Sequence, residues 1–164
     1  MPDTRSRTAA LILACAALPL VAAGTANAAA APAHSAPAPA GCTGTIQIRQ
    51  FAFSPATIIA GQSSTAGLVA RNCTGTVQTV SETWFGSFTG AAPGIPPGCP
   101  AIDPLPEHAT FPAHGQLSNG VTYTVFPTCE ATALTVTVEI TSSTGTLLAE
   151  QSATLAITAP PATT

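Results

Sequence analysis

The segment "ALTVTVEI", residues 133–140, alternates apolar and polar side chains without a break. Leu134, Val136, Val138 and Ile140 form the apolar set, and threonines and a glutamate stand between them. A period of two residues is typical of a β-strand that packs one face on a core and exposes the other to water. The segment therefore predicts a half-buried strand of an antiparallel sheet.

Neighbouring segments show the same alternation. Strands are predicted at 63–72, 76–85, 119–127 and 146–158, and no stretch has sustained helical spacing. The segment 44–53 changes phase, because Ile48 and Phe51 fall on opposite faces, and such a change indicates a β-bulge or a switch of sheet. We therefore predict an all-β domain, a single immunoglobulin-like Greek-key β-sandwich of about seven strands with two disulfides.

The N-terminal region has the three parts of a secretory signal peptide. Arg5 and Arg7 precede an apolar stretch, and "TANA" offers a cleavage site after Ala28. We predict a signal peptide over 1–28, a disordered Ala/Pro-rich linker over 29–40, the sandwich domain over 41–158 and a disordered tail over 159–164. The expected location is secreted and extracellular, and we interpret the lysine-free, Ala/Pro/Thr-rich composition as bacterial.

Basic residues are scarce beyond the signal peptide. Only Arg49 and Arg71 remain, against six carboxylates. Binding to nucleic acid or to an anionic membrane needs a basic patch, which two arginines cannot form. We therefore expect no nucleic-acid partner and no membrane attachment after signal cleavage, and we expect a monomer.

Four cysteines fall in the predicted exported domain, and four cysteines allow three pairings. Cys42 precedes the first strand and Cys73 follows its antiparallel neighbour, so both lie at one end of the sandwich. In a Greek key, Cys99 and Cys129 come to the opposite end. The predicted disulfides are Cys42–Cys73 and Cys99–Cys129.

The segment "IPPGCPAIDPLPEHATFPAHG", residues 95–115, concentrates residue types that carry chemistry. Its prolines exclude a helix or a central strand, so we expect a loop throughout, anchored by Cys99. His108 and His114 lie about 20 Å apart along an extended chain, and no Gly-x-Ser-x-Gly motif is present. We expect no catalytic centre, metal or cofactor. The alternative is an exported hydrolase or metal-binding protein that uses the 99–114 loop through Asp103, Glu107, His108 and His114.

Two resemblances to known families are visible. The segment "IQIRQFAFSPATIIAGQ" (46–62) resembles the opening strands of small cupredoxins, but the implied copper ligands are missing, because neither histidine nor methionine follows Cys129 closely. The region 41–158 is similar to bacterial immunoglobulin-like extracellular modules of the cell-adhesion-related type. The segments "FSPATIIAGQSSTAGLVARNCTGTVQT" (53–79) and "PAHGQLSNGVTYTVFPT" (112–128) carry that similarity. It implies a non-catalytic adhesion, spacer or ligand-binding role.

The functional prediction is a secreted, non-enzymatic module that binds an extracellular or cell-wall polymer or protein through its loop end. The surface would combine the 86–117 connection with the aromatic segment "TWFGSF" (83–88), although Trp84 fits the core as well as the surface. A small-molecule carrier of the same fold is a further alternative. The partner class is an extracellular protein or glycan. The candidate surface residues are Trp84, Phe85, Phe88, His108 and His114.

Overall fold

The structure is a computed structural model that describes residues 41–91 and 94–161. The predicted signal peptide, the predicted linker and residues 162–164 of the predicted tail lie outside these ranges. The described chain contains eight strands and no helix able to cross a membrane. The strands are β1 (Ile46–Ser54), β2 (Thr57–Ile59), β3 (Ser63–Asn72), β4 (Gln78–Thr89), β5 (Glu107–Phe111), β6 (Gln116–Thr124), β7 (Ala133–Ser142) and β8 (Leu147–Thr158).

The strands form two sheets. One sheet has the order β1-β3-β6, and the other has the order β2-β8-β7-β4-β5. All pairs are antiparallel except β2 with β8, and β3 pairs with β6 as a Greek key requires. This order confirms the predicted all-β, immunoglobulin-like sandwich.

The inward-facing residues of the two sheets form one core. The alternating apolar residues of β7, from Leu134 to Ile140, are fully buried, and Leu68 of β3 packs on the opposite side. Each such side chain contributes about 2 kcal/mol by leaving water. Phe51 of β1 contacts Trp84 of β4 edge to face, with ring centroids 5.2 Å apart. The core therefore joins the two sheets through aliphatic and aromatic contacts.

The phase change in the first strand is a β-bulge. The register between β1 and β3 shifts between Ile48 and Gln50, so one additional residue stands in β1. Ile46 before the bulge and Phe51 after it are both buried as a result. The bulge therefore directs both halves of an out-of-phase apolar pattern toward the same core.

The expectation of a loop throughout 95–115 is wrong for residues 107–111. These residues form β5, an edge strand that pairs with residues 78–82 of β4. Pro106 and Pro112 flank the strand directly, where a missing N–H does not interrupt the ladder. Only Phe111 of β5 is buried, so the strand depends on its main-chain pairing with β4 and carries little apolar alternation of its own.

The two disulfides join the predicted pairs. Cys42–Cys73 lies where β1 begins and β3 ends, and its Cα atoms are 5.6 Å apart. Cys99–Cys129 ties the segment before β5 to the β6–β7 connection, with a Cα separation of 4.7 Å. The bridged residues are 31 and 30 positions apart, and each closure is worth about 3–4 kcal/mol in the chain-entropy account.

Candidate functional site

The second half of β4 is an open edge of the five-stranded sheet. β5 pairs with β4 only as far as Glu82, opposite Glu107, whereas β4 continues to Thr89. Residues 94–106, which we call the cover segment, lie beside this open edge. Phe126 N–H donates to the Gly98 carbonyl at 2.9 Å, and the Cys99–Cys129 disulfide adds a covalent anchor.

Main-chain groups of β4 point toward the cover segment. The Ile157 N–H donates to the Thr132 carbonyl in the same register as the β7–β8 ladder. The even-numbered residues of β7 therefore bond β8, and the main-chain groups of its odd-numbered residues face β4. In the β4–β7 register, even-numbered β4 residues therefore face the open edge. Among the described residues, no main-chain partner reaches Trp84, Gly86 or Phe88 on that side.

The cover segment inserts one side chain beside β4. Ile102 occupies the space where a side chain of residue 86 would lie, and a Cβ at Gly86 would be 2.9 Å from Ile102 Cγ1 and closer still to its Cδ1. Glycine at position 86 is therefore what admits Ile102. The inserted side chain lines two recesses, one on each side of it.

The first recess, the outer groove, has a volume of about 360 Å³. Phe85 and Ile95 expose 41% and 62% of their surface, and both line this one recess. Among the described residues that line it, Ser87 alone has a polar side chain and none is ionisable. The outer groove is formed by Phe85, Gly86, Ser87, Phe88, Gly94, Ile95, Ile102 and Pro104.

The second recess, the inner cleft, lies between the two sheets on the side where β5 and β6 are the edge strands, and has a volume of about 210 Å³. Tyr123 is only 4% exposed, and burial raises its pKa above the ordinary 10.0. Its hydroxyl has no hydrogen-bond partner among the described residues, yet it is not sealed from solvent. The inner cleft is formed by Trp84, Ala101, Ile102, Asp103, Leu105, Glu107, Val121 and Tyr123.

A buried carboxylate holds the tryptophan of the inner cleft. Trp84 Nε1–H donates to Glu82 Oε1 at 2.7 Å, and Asn119 Nδ2 donates to the same oxygen at 2.8 Å. Glu82 is 1% exposed, and its Oε2 has no partner within the described chain. Glu82 was not among the predicted site residues. Its position in the inward phase of β4, between Val80 and Trp84, is the sequence signal that could have indicated a buried carboxylate.

The structure divides the five predicted surface residues among different places. Phe85 is exposed on the outer groove, and Phe88 lines the same groove while packing partly on the core. Trp84 is 6% exposed, so of the two positions that the sequence left open its ring takes the core, where its inward phase on β4 places it against Phe51.

Neither predicted histidine lines a recess. His108 lies on β5 opposite Ser81, with Ser81 Oγ 3.3 Å from His108 Nδ1. His114 lies in the turn before β6, where its N–H donates to the Thr74 carbonyl and its φ is 54°. They belong to an edge strand and to a turn at the Cys42–Cys73 end. The two therefore do not form a surface with Phe85.

The segment 99–114 does not assemble a metal centre within the described chain. No three histidine, cysteine, aspartate or glutamate side chains stand close enough to share an ion there. Cys99 is in a disulfide, and Asp103 Oδ1 accepts a hydrogen bond from the Leu105 N–H at 3.1 Å. The nearest approach to a nucleophile and base is the Ser81–His108 contact, in which no carboxylate hydrogen-bonds the histidine.

Comparison with protein-family models finds no match, and comparison with curated proteins finds none either. Among solved structures, the chain is similar to the Pseudomonas fluorescens alkylpurine DNA glycosylase AlkC bound to DNA containing an abasic site analog, with 14% identity and a TM-score of 0.49 over 73% of this chain. This chain spans about a third of that enzyme, 32% of its length.

The similarity to two further structures extends over almost their whole length. A Niemann-Pick type C2 protein from Japanese carpenter ant has 17% identity and a TM-score of 0.41 over 71% of this chain and 96% of its own. The ASH / PapD-like domain of human CEP192 has 14% identity and a TM-score of 0.39 over 80% of this chain and 94% of its own. At these identities and scores, the three likenesses say nothing about what this chain binds.

Proposed function

We propose that this protein is a secreted, non-catalytic binding module that takes an extracellular protein partner at the outer groove. The observation that carries the proposal is the exposure of Phe85 and Ile95 in an apolar recess beside an open strand edge. Large apolar side chains gathered on a surface mark contact sites, because leaving them in water is unfavourable.

A protein partner fits the outer groove better than a glycan. Sugar hydroxyls need several polar side chains to replace their hydrogen bonds with water, and Ser87 alone cannot supply them. The main-chain groups of Gly86 and Phe88 that face the open edge need a partner with donors and acceptors in alternation, which an extended peptide provides. The proposed partner therefore presents apolar side chains together with a stretch of extended backbone.

Secretion is supported by two features. Two disulfides form and persist in oxidising compartments, and the N-terminal sequence has the pattern of a cleaved signal peptide. In that setting, the Cys99–Cys129 bridge holds the cover segment in place without requiring a large core beneath it.

The experiment compares full-length secreted protein with two double variants. The groove variant is Phe85→Ser with Ile95→Ser, and the matched control is Val77→Ser with Leu147→Ser, which replaces two apolar side chains that are 62% and 51% exposed elsewhere on the domain. The wild-type protein captures partners from the secreted and cell-surface fractions, and the purified partner is then titrated against each form.

Loss of two anchor side chains is worth about 2–3 kcal/mol, so we expect affinity to fall by about 30- to 150-fold in the groove variant and to stay unchanged in the control. Equal affinities for the groove variant and the wild type would contradict the proposal. If the wild-type protein self-associates in sedimentation experiments and the groove variant does not, the partner is instead a second copy of the chain.

The hydrolase alternative keeps one supporting contact, between Ser81 and His108. It predicts ester or amide hydrolysis by the purified protein that Ser81→Ala removes. Hydrolysis with that dependence would favour the alternative over a binding module.

A further inference from the structure

The inner cleft combines aromatic walls with uncompensated negative charge. Trp84 and Tyr123 supply the two rings, and Asp103 and Glu107 supply two carboxylates. No basic side chain is among the described residues that line the cleft. The two arginines of the described chain lie elsewhere, in the bulge of β1 and in β3 opposite Gln116.

A second observation concerns the Tyr123 hydroxyl. Tyr123 is only 4% exposed, and it lines the inner cleft. The hydroxyl itself still reaches solvent, although most of the ring is buried. Because the described residues give this hydroxyl no hydrogen-bond partner and it keeps contact with solvent, a ligand in the cleft could hydrogen-bond it without displacing a protein group.

We propose that the inner cleft binds a small organic ammonium cation that carries one further polar group. The aromatic rings would contact the alkylammonium head, as they do in aromatic cages for quaternary ammonium ions. Asp103 and Glu107 supply the compensating charge, and Tyr123 hydrogen-bonds the polar group. This site is distinct from the outer groove and does not depend on its proposed partner.

The surroundings limit the size of the ligand and fix one of its walls. A volume of about 210 Å³ corresponds to roughly seven water molecules in the liquid, so the cleft suits a head of choline size. Glu82 holds the Trp84 indole through Nε1, so that wall is in place before a ligand arrives. Preorganised walls lower the cost of binding.

The protein reports on its own cleft, because Trp84 is its only tryptophan. Full-length protein is titrated at constant ionic strength with choline chloride, and in parallel with 3,3-dimethylbutan-1-ol, its uncharged isostere. We expect a saturable change in tryptophan fluorescence with choline and at least tenfold weaker binding of the alcohol. Calorimetry on the same samples checks the stoichiometry of one. Equal binding of the two compounds, or no saturable binding of choline, would overturn the proposal.

Variants then assign the binding to the cleft. Asp103→Asn with Glu107→Gln should weaken choline binding at least tenfold. The matched control, Glu139→Gln with Glu150→Gln, removes the same charge from a β7–β8 pair of which Glu139 is half-buried and Glu150 is exposed, and it should leave binding unchanged. If both double variants weaken choline binding equally, the effect is a general electrostatic attraction and the proposed site is refuted.

The Tyr123→Phe variant retains the ring and removes only the hydroxyl. It should weaken choline binding about three- to tenfold while leaving tetramethylammonium, which has no hydroxyl, unaffected. Retained near-ultraviolet circular dichroism confirms that the variant is folded. Choline binding that is unchanged in this variant would contradict the role of the hydroxyl. Binding that survives in the Phe85→Ser, Ile95→Ser protein would separate this site from the proposed function of the outer groove.

Discussion

The contact between Gly86 and Ile102 predicts a strong energetic coupling between β4 and the cover segment. In Gly86→Ala, the new methyl group would lie 2.9 Å from Ile102 Cγ1 and 3.4 Å from its Cβ, with the Cδ1 closer still. Ordinary packing cannot absorb this overlap, so Ile102 must withdraw from the position that it shares with both recesses. The substitution therefore removes the packing of Ile102 as well as adding a methyl group.

The size of the effect follows from the burial of Ile102. Removing a fully buried isoleucine costs about 2–5 kcal/mol, and Ile102 is only partly buried, so its withdrawal should cost about 1–2 kcal/mol. Replacing glycine by alanine in a strand recovers about 0.5–1 kcal/mol of backbone entropy. We expect Gly86→Ala to lower the free energy of unfolding by about 1 kcal/mol, and Ile102→Ala to lower it by about 1–2 kcal/mol.

The double variant Gly86→Ala, Ile102→Ala tests the coupling. With Ile102 already truncated, the methyl group at position 86 has space, so the double variant should be no less stable than Ile102→Ala alone. Urea unfolding without reductant, followed by the fluorescence of Trp84, gives each free energy. Gly67→Ala is the matched control, because a Cβ there would meet nothing closer than the Ala52 carbonyl at 3.9 Å. Free energies for the two sites that add within about 0.5 kcal/mol would refute the insertion of Ile102 beside β4.

Three further perturbations probe the core and the surface. Glu82→Gln keeps an acceptor for the Trp84 Nε1–H and removes a buried carboxylate, so its free energy of unfolding in urea should be unchanged or higher. Glu82→Leu leaves the indole N–H unpaired and should lower the free energy of unfolding by about 1–3 kcal/mol. Equal losses in the two variants would contradict this account. Tyr123 is the only tyrosine, and burial raises its pKa, so phenolate absorbance at 295 nm should titrate above pH 10.0 in the folded protein and near 10.0 in denaturant. Because folding favours the protonated phenol, the contribution of Tyr123 to the free energy of unfolding is complete below pH 10 and is lost as the pH rises above it. A loss of stability over the same pH range in Tyr123→Phe would have another origin. Glu150→Lys replaces a like-charge pair with Glu139 by an attractive one and should raise the melting temperature by about 2–5 °C, an effect that should shrink in 1 M salt.

The sandwich could be predicted because its central strands carry their own burial pattern. Alternation in β7 and β3 identified the inward faces, and the phase change in β1 indicated a bulge or a switch of sheet, of which the structure has the bulge. β5 could not be predicted in the same way, since an edge strand with a single buried residue is specified by the β4 backbone that it pairs with. The three-residue β2 likewise depends on its parallel pairing with β8.

The binding surface stays a prediction, and the structure shows only where its residues lie. Residues 85–88 and parts of the following connection line the outer groove, and Phe85 is exposed there. The burial of Trp84 was obscured by Glu82, because a charged residue in the inward phase made the facing of β4 ambiguous. The inner cleft joins the cover segment to Val121 and Tyr123 of β6, and only the three-dimensional path of the cover segment brings those residues together.

The shortage of basic residues has a consequence for proteolysis. Within the described domain, a trypsin-like protease can cut only after Arg49 and Arg71. Arg71 lies in β3 with strands paired on both sides, whereas Arg49 is exposed in the bulge of the edge strand β1. Cleavage after Arg49 would release the first part of β1 from the following chain, yet Cys42 would still hold that fragment to Cys73. The nicked protein therefore keeps all its strands covalently connected until a reductant opens that single bridge.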